Sequence, residues 1–193
     1  NLVFNGVAQT PRFNGWLRFL GDWQAATLVG IRSGFPFSVH TTALDIPASG
    51  GLLVRNRADF TGSDLDAAFL DSRRETPGGV VLLDRSQFRA PAAGQIGSLP
   101  RNALRGPGFW NADFGLSRSF ALPRLGEQGR VQFRAEFFNL FNHTNLNNPD
   151  PFLESSTFGV ATFGRQGFGS SQLSAAPLNE QPRRIQFALK VFF

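Results

Sequence analysis

The stretch Arg184-Ile185-Gln186-Phe187-Ala188-Leu189-Lys190-Val191-Phe192-Phe193 decides how this chain is read. Ile185, Phe187, Leu189, Val191 and Phe193 share one parity; Arg184, Gln186, Ala188 and Lys190 share the other. A period of two describes a strand with one apolar and one polar face. About ten such residues, tilted roughly 45°, cross the hydrocarbon core of a bilayer. A half-buried strand in a soluble sandwich alternates in the same way, so the rest of the chain has to separate the two.

Composition narrows the class. The 193 residues are enough for one ordinary domain. The chain has no Met and starts at Asn1 inside the apolar run Leu2-Val3-Phe4, so a piece of a longer protein is expected and the lack of a signal peptide is uninformative. No apolar run approaches the ~18 residues of a membrane helix, which leaves strands as the only route into a bilayer. Without cysteine there are no disulfides, thiolate metal sites or Cys nucleophile. The 22 Phe, 21 Gly and 12 Pro suit short strands separated by turns. Tyr is absent, so Phe together with Trp16, Trp23 and Trp110 has to supply any interfacial aromatic girdle. The net charge of +5 comes with eighteen Arg and one Lys, scattered from Arg12 to Lys190 with no run longer than a pair. No zinc-finger, basic-helix or RNA-binding signature accompanies them, so no nucleic-acid partner is expected.

Strands are expected near residues 2–9, 23–33, 109–121, 130–141 and 183–193, with 37–42 prolonging the second. Trp110, Ala112, Phe114, Leu116 and Phe120 alternate against Asn111, Asp113, Gly115, Ser117 and Ser119. Val131, Phe133, Ala135, Phe137 and Phe141 alternate against Arg130, Gln132, Arg134, Glu136 and Phe138. Arg118 interrupts the apolar parity near a strand end, where its long stem can snorkel to an interface. The connections run medium (10–22), long and irregular (43–107), short (122–129) and long (142–182). Ser63-Asp64-Leu65-Asp66 has the form of a helix cap, predicting a short helix over 64–70. If the C-terminus is periplasmic, both long connections fall outside the cell, as barrels require. The fold expected is therefore all-β, an antiparallel meander of about five strands forming part of a transmembrane β-barrel with two long extracellular loops. So few strands cannot close a barrel, since the smallest membrane barrels have about eight.

Several segments resemble the C-terminal end of TonB-dependent receptors of the Oar-like group. The clearest are Arg101-Asn102-Ala103-Leu104-Arg105-Gly106-Pro107-Gly108-Phe109-Trp110-Asn111-Ala112-Asp113 and Phe133-Arg134-Ala135-Glu136-Phe137-Phe138-Asn139-Leu140-Phe141-Asn142-His143-Thr144-Asn145. Gly21-Asp22-Trp23-Gln24, Ser33-Gly34-Phe35-Pro36-Phe37, Phe158-Gly159 and Arg183-Arg184-Ile185-Gln186-Phe187 add to them. The resemblance implies a bacterial outer-membrane barrel of about 22 strands with an N-terminal plug. It also implies uptake or passage of a bulky, unidentified substrate driven through TonB, with outer-membrane lipid and the barrel assembly machinery as further partners. Neither plug nor TonB-contacting segment lies in these residues. The spacing Gln186, Ala188, Val191, Phe193 resembles the terminal signal read by the assembly machinery.

Catalytic and metal chemistry have little to rest on. His40 and His143 are the only histidines and lie in separate regions. Asp59, Asp64, Asp66 and Asp71 lack the spacing of an EF-hand calcium loop and read more simply as solvated acids. Gly164-Arg165-Gln166-Gly167-Phe168-Gly169 follows no strand-to-helix pattern, so it is not expected to cradle phosphate. No cofactor is expected, and the chain is expected to be non-catalytic. Asp113, Arg130, Arg134, Glu136 and Lys190 are the charges expected to face the barrel lumen, as ion pairs stiffening the wall or as contacts to plug or substrate. Two readings compete. One is a soluble secreted β-sandwich adhesin or carbohydrate-binding module. The other is an outer-membrane barrel enzyme such as a lipase or protease, which needs a Ser-His or Asp-His pair that His40 and His143 offer little towards.

Overall fold

The computed structural model describes residues 1–47, 53–126, 129–163 and 182–193. The strands among them are β1 (Leu2–Gln9), β2 (Trp23–Arg32), β3 (Pro36–Phe37), β4 (His40–Pro47), β5 (Leu53–Arg57), β6 (Asp59–Phe60) and β7 (Phe69–Thr76), then β8 (Gly79–Leu83), β9 (Phe88–Arg89), β10 (Leu104–Arg105), β11 (Phe109–Ala121), β12 (Arg130–Phe138), β13 (Val160–Thr162) and β14 (Arg184–Phe192). No helix among the described residues is long and apolar enough to cross a membrane.

The chain divides into two compact units. Of the described residues, the first holds 1–32, 109–126, 129–144 and 182–193. Its five long strands form one sheet in the order β1-β2-β11-β12-β14, antiparallel throughout. β1 and β14 are its edges, so among the described residues the sheet does not close. The longest strand is β11, from Phe109 to Ala121.

β12 stops at Phe138 rather than running to 141. Asn139 adopts φ 49° and Asn142 φ 51°, a left-handed conformation that Asn tolerates better than most residues. The Asn139 side chain closes the turn, donating to the His143 carbonyl at 2.9 Å and accepting from the His143 N–H at 2.9 Å.

The second unit, 33–108 and 145–166, corrects the expectation that 43–107 is irregular. Those residues supply β5 to β10 and part of β4. Phe37, Val39, Ala58, Ala68, Leu83, Phe88, Leu99, Leu104, Leu153 and Phe158 bury one another in a core of this unit's own. Most of its strands have two to five residues and carry no extended alternation, so periodicity does not reveal them. Residues 37–42 do not prolong β2. Instead β3 pairs with β10, while His40 begins β4, which pairs with β5. Of the other long connection, residues 164–181 lie outside the described residues.

The predicted helix over 64–70 is a single 3-10 turn, Leu65–Ala68. Asp64 does cap it, accepting from the N–H groups of Asp66 and Ala67, both at 3.0 Å. Phe69 then leaves for β7 to pair with Leu83. Packing of Phe69 against the core outweighs a cap worth about 1 kcal/mol.

Candidate membrane interface

Pairing register determines which residues share a face, because directly opposed residues of an antiparallel pair point to the same side. Across the sheet, Phe4 lies opposite Val29, Val29 opposite Ala112, Leu116 opposite Ala135 and Ala135 opposite Phe187. Extended along the strands, this register joins the five apolar parities into one continuous band. Much of the band is bare: Phe4, Phe187 and Leu189 are 57%, 67% and 66% exposed. A contiguous apolar surface of this kind marks an interface rather than a solvated sheet.

The band has the height of a bilayer. From Trp110 to Phe120 β11 rises ~33 Å at about 3.3 Å per residue. Tilted roughly 45° it spans ~23 Å, close to the ~25 Å apolar zone of outer-membrane barrels. Aromatic groups mark both limits. At one end Trp110 stacks on His143, with centroids 4.3 Å apart, and meets Phe141 at 5.8 Å. At the other, Trp23 meets Phe133 edge-on at 6.4 Å. Phe133 also stacks on Phe187 at 6.2 Å, and Phe114 packs on Phe137 at 6.2 Å.

Arg118, the interruption in this parity, lies at the limit near Trp23. Its guanidinium sits 4.7 Å from the Phe120 ring centroid and 5.6 Å from that of Trp23. It also donates to the carbonyls of Phe19 and Arg18 at 2.7 and 2.6 Å. These partners lie about a hundred residues away in sequence and leave no trace in the local pattern.

The opposite face is mostly polar, with Val3, Val7 and Leu28 among its apolar exceptions, and carries all five charges singled out by parity. Arg134 and Glu136 form an ion pair at 2.6 Å. Lys190 lies opposite Gln132. Asp113 accepts from the Asn139 N–H at 2.8 Å and from Asn111 Nδ2 at 2.9 Å, so its carboxylate fastens the turn that ends β12. Arg130 covers an aromatic ring. Phe109, Phe138 and Phe192 fall on this face, and each lies opposite an arginine: Arg32, Arg184 and Arg130. The guanidinium-to-centroid distances are 5.6, 4.8 and 4.1 Å. A planar guanidinium stacks on a ring better than an ammonium does, which accounts for part of the excess of Arg over Lys.

Of the terminal pattern, Gln186 lies opposite Glu136, Ala188 opposite Arg134 and Val191 opposite Val131. Phe193 extends past β14 and is 96% exposed.

The remaining candidates do not assemble into a site. His40 belongs to the second unit, against Phe152, and His143 to the first. Burial holds the His40 imidazole below its usual value, helped by the positive Arg55 and Arg57 and opposed by a backbone hydrogen bond at Asn56. Asp59 pairs with Arg89 at 3.5 Å, and Asp64 caps its own turn. No cluster of three or more His, Asp or Glu side chains that could hold a metal occurs among the described residues. The glycine-rich run 164–169 lies outside the described residues.

The second unit holds a cleft of about 660 Å³ lined by Thr76, Asn147, Asn148, Asp150, Thr157 and Thr162, among others. Asp150 organises one wall, accepting from the Phe152 N–H at 3.1 Å and the Thr157 hydroxyl at 2.7 Å. Burial raises its pKa, but hydrogen bonds from Ser155, Thr157 and Phe152 outweigh that and hold it below the usual carboxylate value. A depressed folded-state pKa contributes stability above the unfolded value, near 3.8, that is lost as pH falls through the folded one. Acidification through and below that region should therefore loosen this wall. Asp150→Asn should flatten the acid limb of a protease-sensitivity profile; an unchanged limb would assign the acid response elsewhere.

A family model described as an outer membrane beta barrel domain matches residues 1–186. No match to this chain is found among curated proteins, and none among solved structures. Family, open antiparallel sheet and bilayer-high apolar band agree, and the soluble sandwich is set aside. The chain belongs to the outer membrane beta barrel domain family and is part of a transmembrane barrel of the bacterial outer membrane.

Proposed function

We propose that this chain forms the C-terminal wall and outer loops of a TonB-dependent outer-membrane transporter for a bulky substrate, with no catalytic role. The observation that carries the reading is the way the insertions leave the sheet. Residues 33–108 follow the end of β2 and precede β11, while 139–183 follow β12 and precede β14. In an antiparallel sheet both then emerge at one end, whereas the shorter connections 10–22 and 122–129 lie at the other. Long connections outside and short ones in the periplasm are the barrel rule. That orientation makes the folded second unit extracellular and the C-terminus periplasmic. The sequence resemblance supports the energy coupling, and the polar face, with Asp113, Arg130, Arg134, Glu136 and Lys190, would line the lumen towards plug or substrate.

The full-length protein should be retained by the immobilised periplasmic domain of TonB. A protein that reaches the outer membrane yet ignores TonB would end the energised reading while leaving the barrel in place. The terminal residues make a second prediction, directed at assembly. Phe193→Asp should reduce the amount of folded barrel in outer-membrane fractions several-fold, because the exposed terminal ring is the proposed contact for the assembly machinery. Undiminished levels would count against Gln186, Ala188, Val191 and Phe193 as its signal.

A further inference from the structure

The connection between β1 and β2 does more than reverse the chain. Gly15–Leu20 forms a 3-10 turn with no buried residue. Trp16 is 80% exposed, and Phe13, Leu17, Phe19 and Leu20 are exposed with it. Polar residues would be expected at the tip of a connection bathed in water.

Its position explains the composition. The Phe19 carbonyl accepts from the Trp23 indole N–H at 2.8 Å and from Arg118 at 2.7 Å, and the Arg18 carbonyl from Arg118 at 2.6 Å. Trp23 and Arg118 lie opposite each other on the apolar face. The turn is thus fastened to the outside of the sheet, continuous with the apolar band. Its base is closed by Thr10, which donates from its N–H to the Trp23 carbonyl at 2.8 Å and accepts the Trp23 N–H on its hydroxyl at 2.9 Å. Gly21 has no room for a side chain, since a Cβ there would sit 2.8 Å from the Pro11 oxygen and 2.9 Å from the Phe13 nitrogen.

We propose that residues 13–20 are an interfacial anchor, lying among the phospholipid headgroups of the membrane's inner leaflet. The inference rests on the barrel reading and its orientation. Aromatic side chains, Trp above all, are favoured at such a boundary. Arg18 supplies cationic charge for lipid phosphate, its guanidinium 5.1 Å from the Phe19 centroid, whereas Arg12 is paired with Asp22 at 3.0 Å. Arg118 is then an arginine at the edge of the apolar zone whose guanidinium meets backbone carbonyls instead of hydrocarbon.

The test uses the full-length protein in phosphatidylethanolamine and phosphatidylglycerol vesicles, spin-labelled one site at a time. Trp16→Cys and Phe19→Cys report on the turn, Leu116→Cys on the middle of the band and Ala93→Cys on an exposed position of the second unit. The ratio of oxygen to nickel-chelate accessibility should be several-fold higher at 16 and 19 than at 93, and highest of all at 116. Values at 16 and 19 equal to that at 93, with 116 still lipid-like, would overturn the anchor and leave the barrel standing. A water-like 116 would remove both.

Discussion

Leu116→Arg should destabilise the barrel by about 2–4 kcal/mol, the cost of a cation at mid-depth on the lipid face. Leu116 lies opposite Ala25 and Ala135, near the centre of the band. An arginine there has a long way to reach either headgroup layer. Gln24→Arg places the same charge on the polar face, opposite Gln9 and Ser117, where a change within about 0.5 kcal/mol is expected. Urea unfolding of the full-length protein in vesicles would compare the two midpoints. Equal shifts would mean that the apolar face does not meet lipid. Arg118 is the natural control: near the limit of the band the cost falls to about 0–1 kcal/mol, and two carbonyls already receive its guanidinium.

The long strands were legible because membrane strands must show their alternation over the whole bilayer height. β11, β12 and β14 all carry it, and the register between them adds what one strand cannot show, that the apolar parities meet. Their ends were less legible. The end of β12 depends on a left-handed Asn139 held by Asp113, 26 residues earlier in the chain. The second unit was legible only as motifs. Ser33-Gly34-Phe35-Pro36 and Arg105-Gly106-Pro107-Gly108 stand some seventy residues apart, yet they touch. The Gly106 N–H donates to the Phe35 carbonyl at 3.0 Å. A Cβ on Gly34 would collide with the Gly106 carbonyl oxygen, so only glycine permits that crossing. The motifs contain both glycines but not their reason. The distribution of charge was legible as scatter, whereas the pairing of Arg32, Arg130 and Arg184 with polar-face phenylalanines required the register.

Leu99→Ala should cost the second unit about 2–5 kcal/mol while sparing the sheet. Leu99 is fully buried in the cluster that includes Phe88, Leu83 and Phe158, and its N–H donates to the Ala58 carbonyl at 3.2 Å. Truncation leaves a cavity among neighbours held by short strands, β6 and β9 having two residues each. Small elements of this kind have few other contacts with which to compensate. The core lies wholly within residues 33–108 and 145–166, so its loss should not reach the five-stranded sheet. Protease added to intact cells should cut the variant in this unit at concentrations that spare the parent protein, while the folded barrel persists in semi-native electrophoresis. Loss of the barrel together with the unit would show that the two fold as one. Resistance to protease in both proteins would mean either that the core tolerates the cavity or that the unit is not at the cell surface, and labelling of Ala93→Cys by an impermeant maleimide on intact cells would separate these two outcomes.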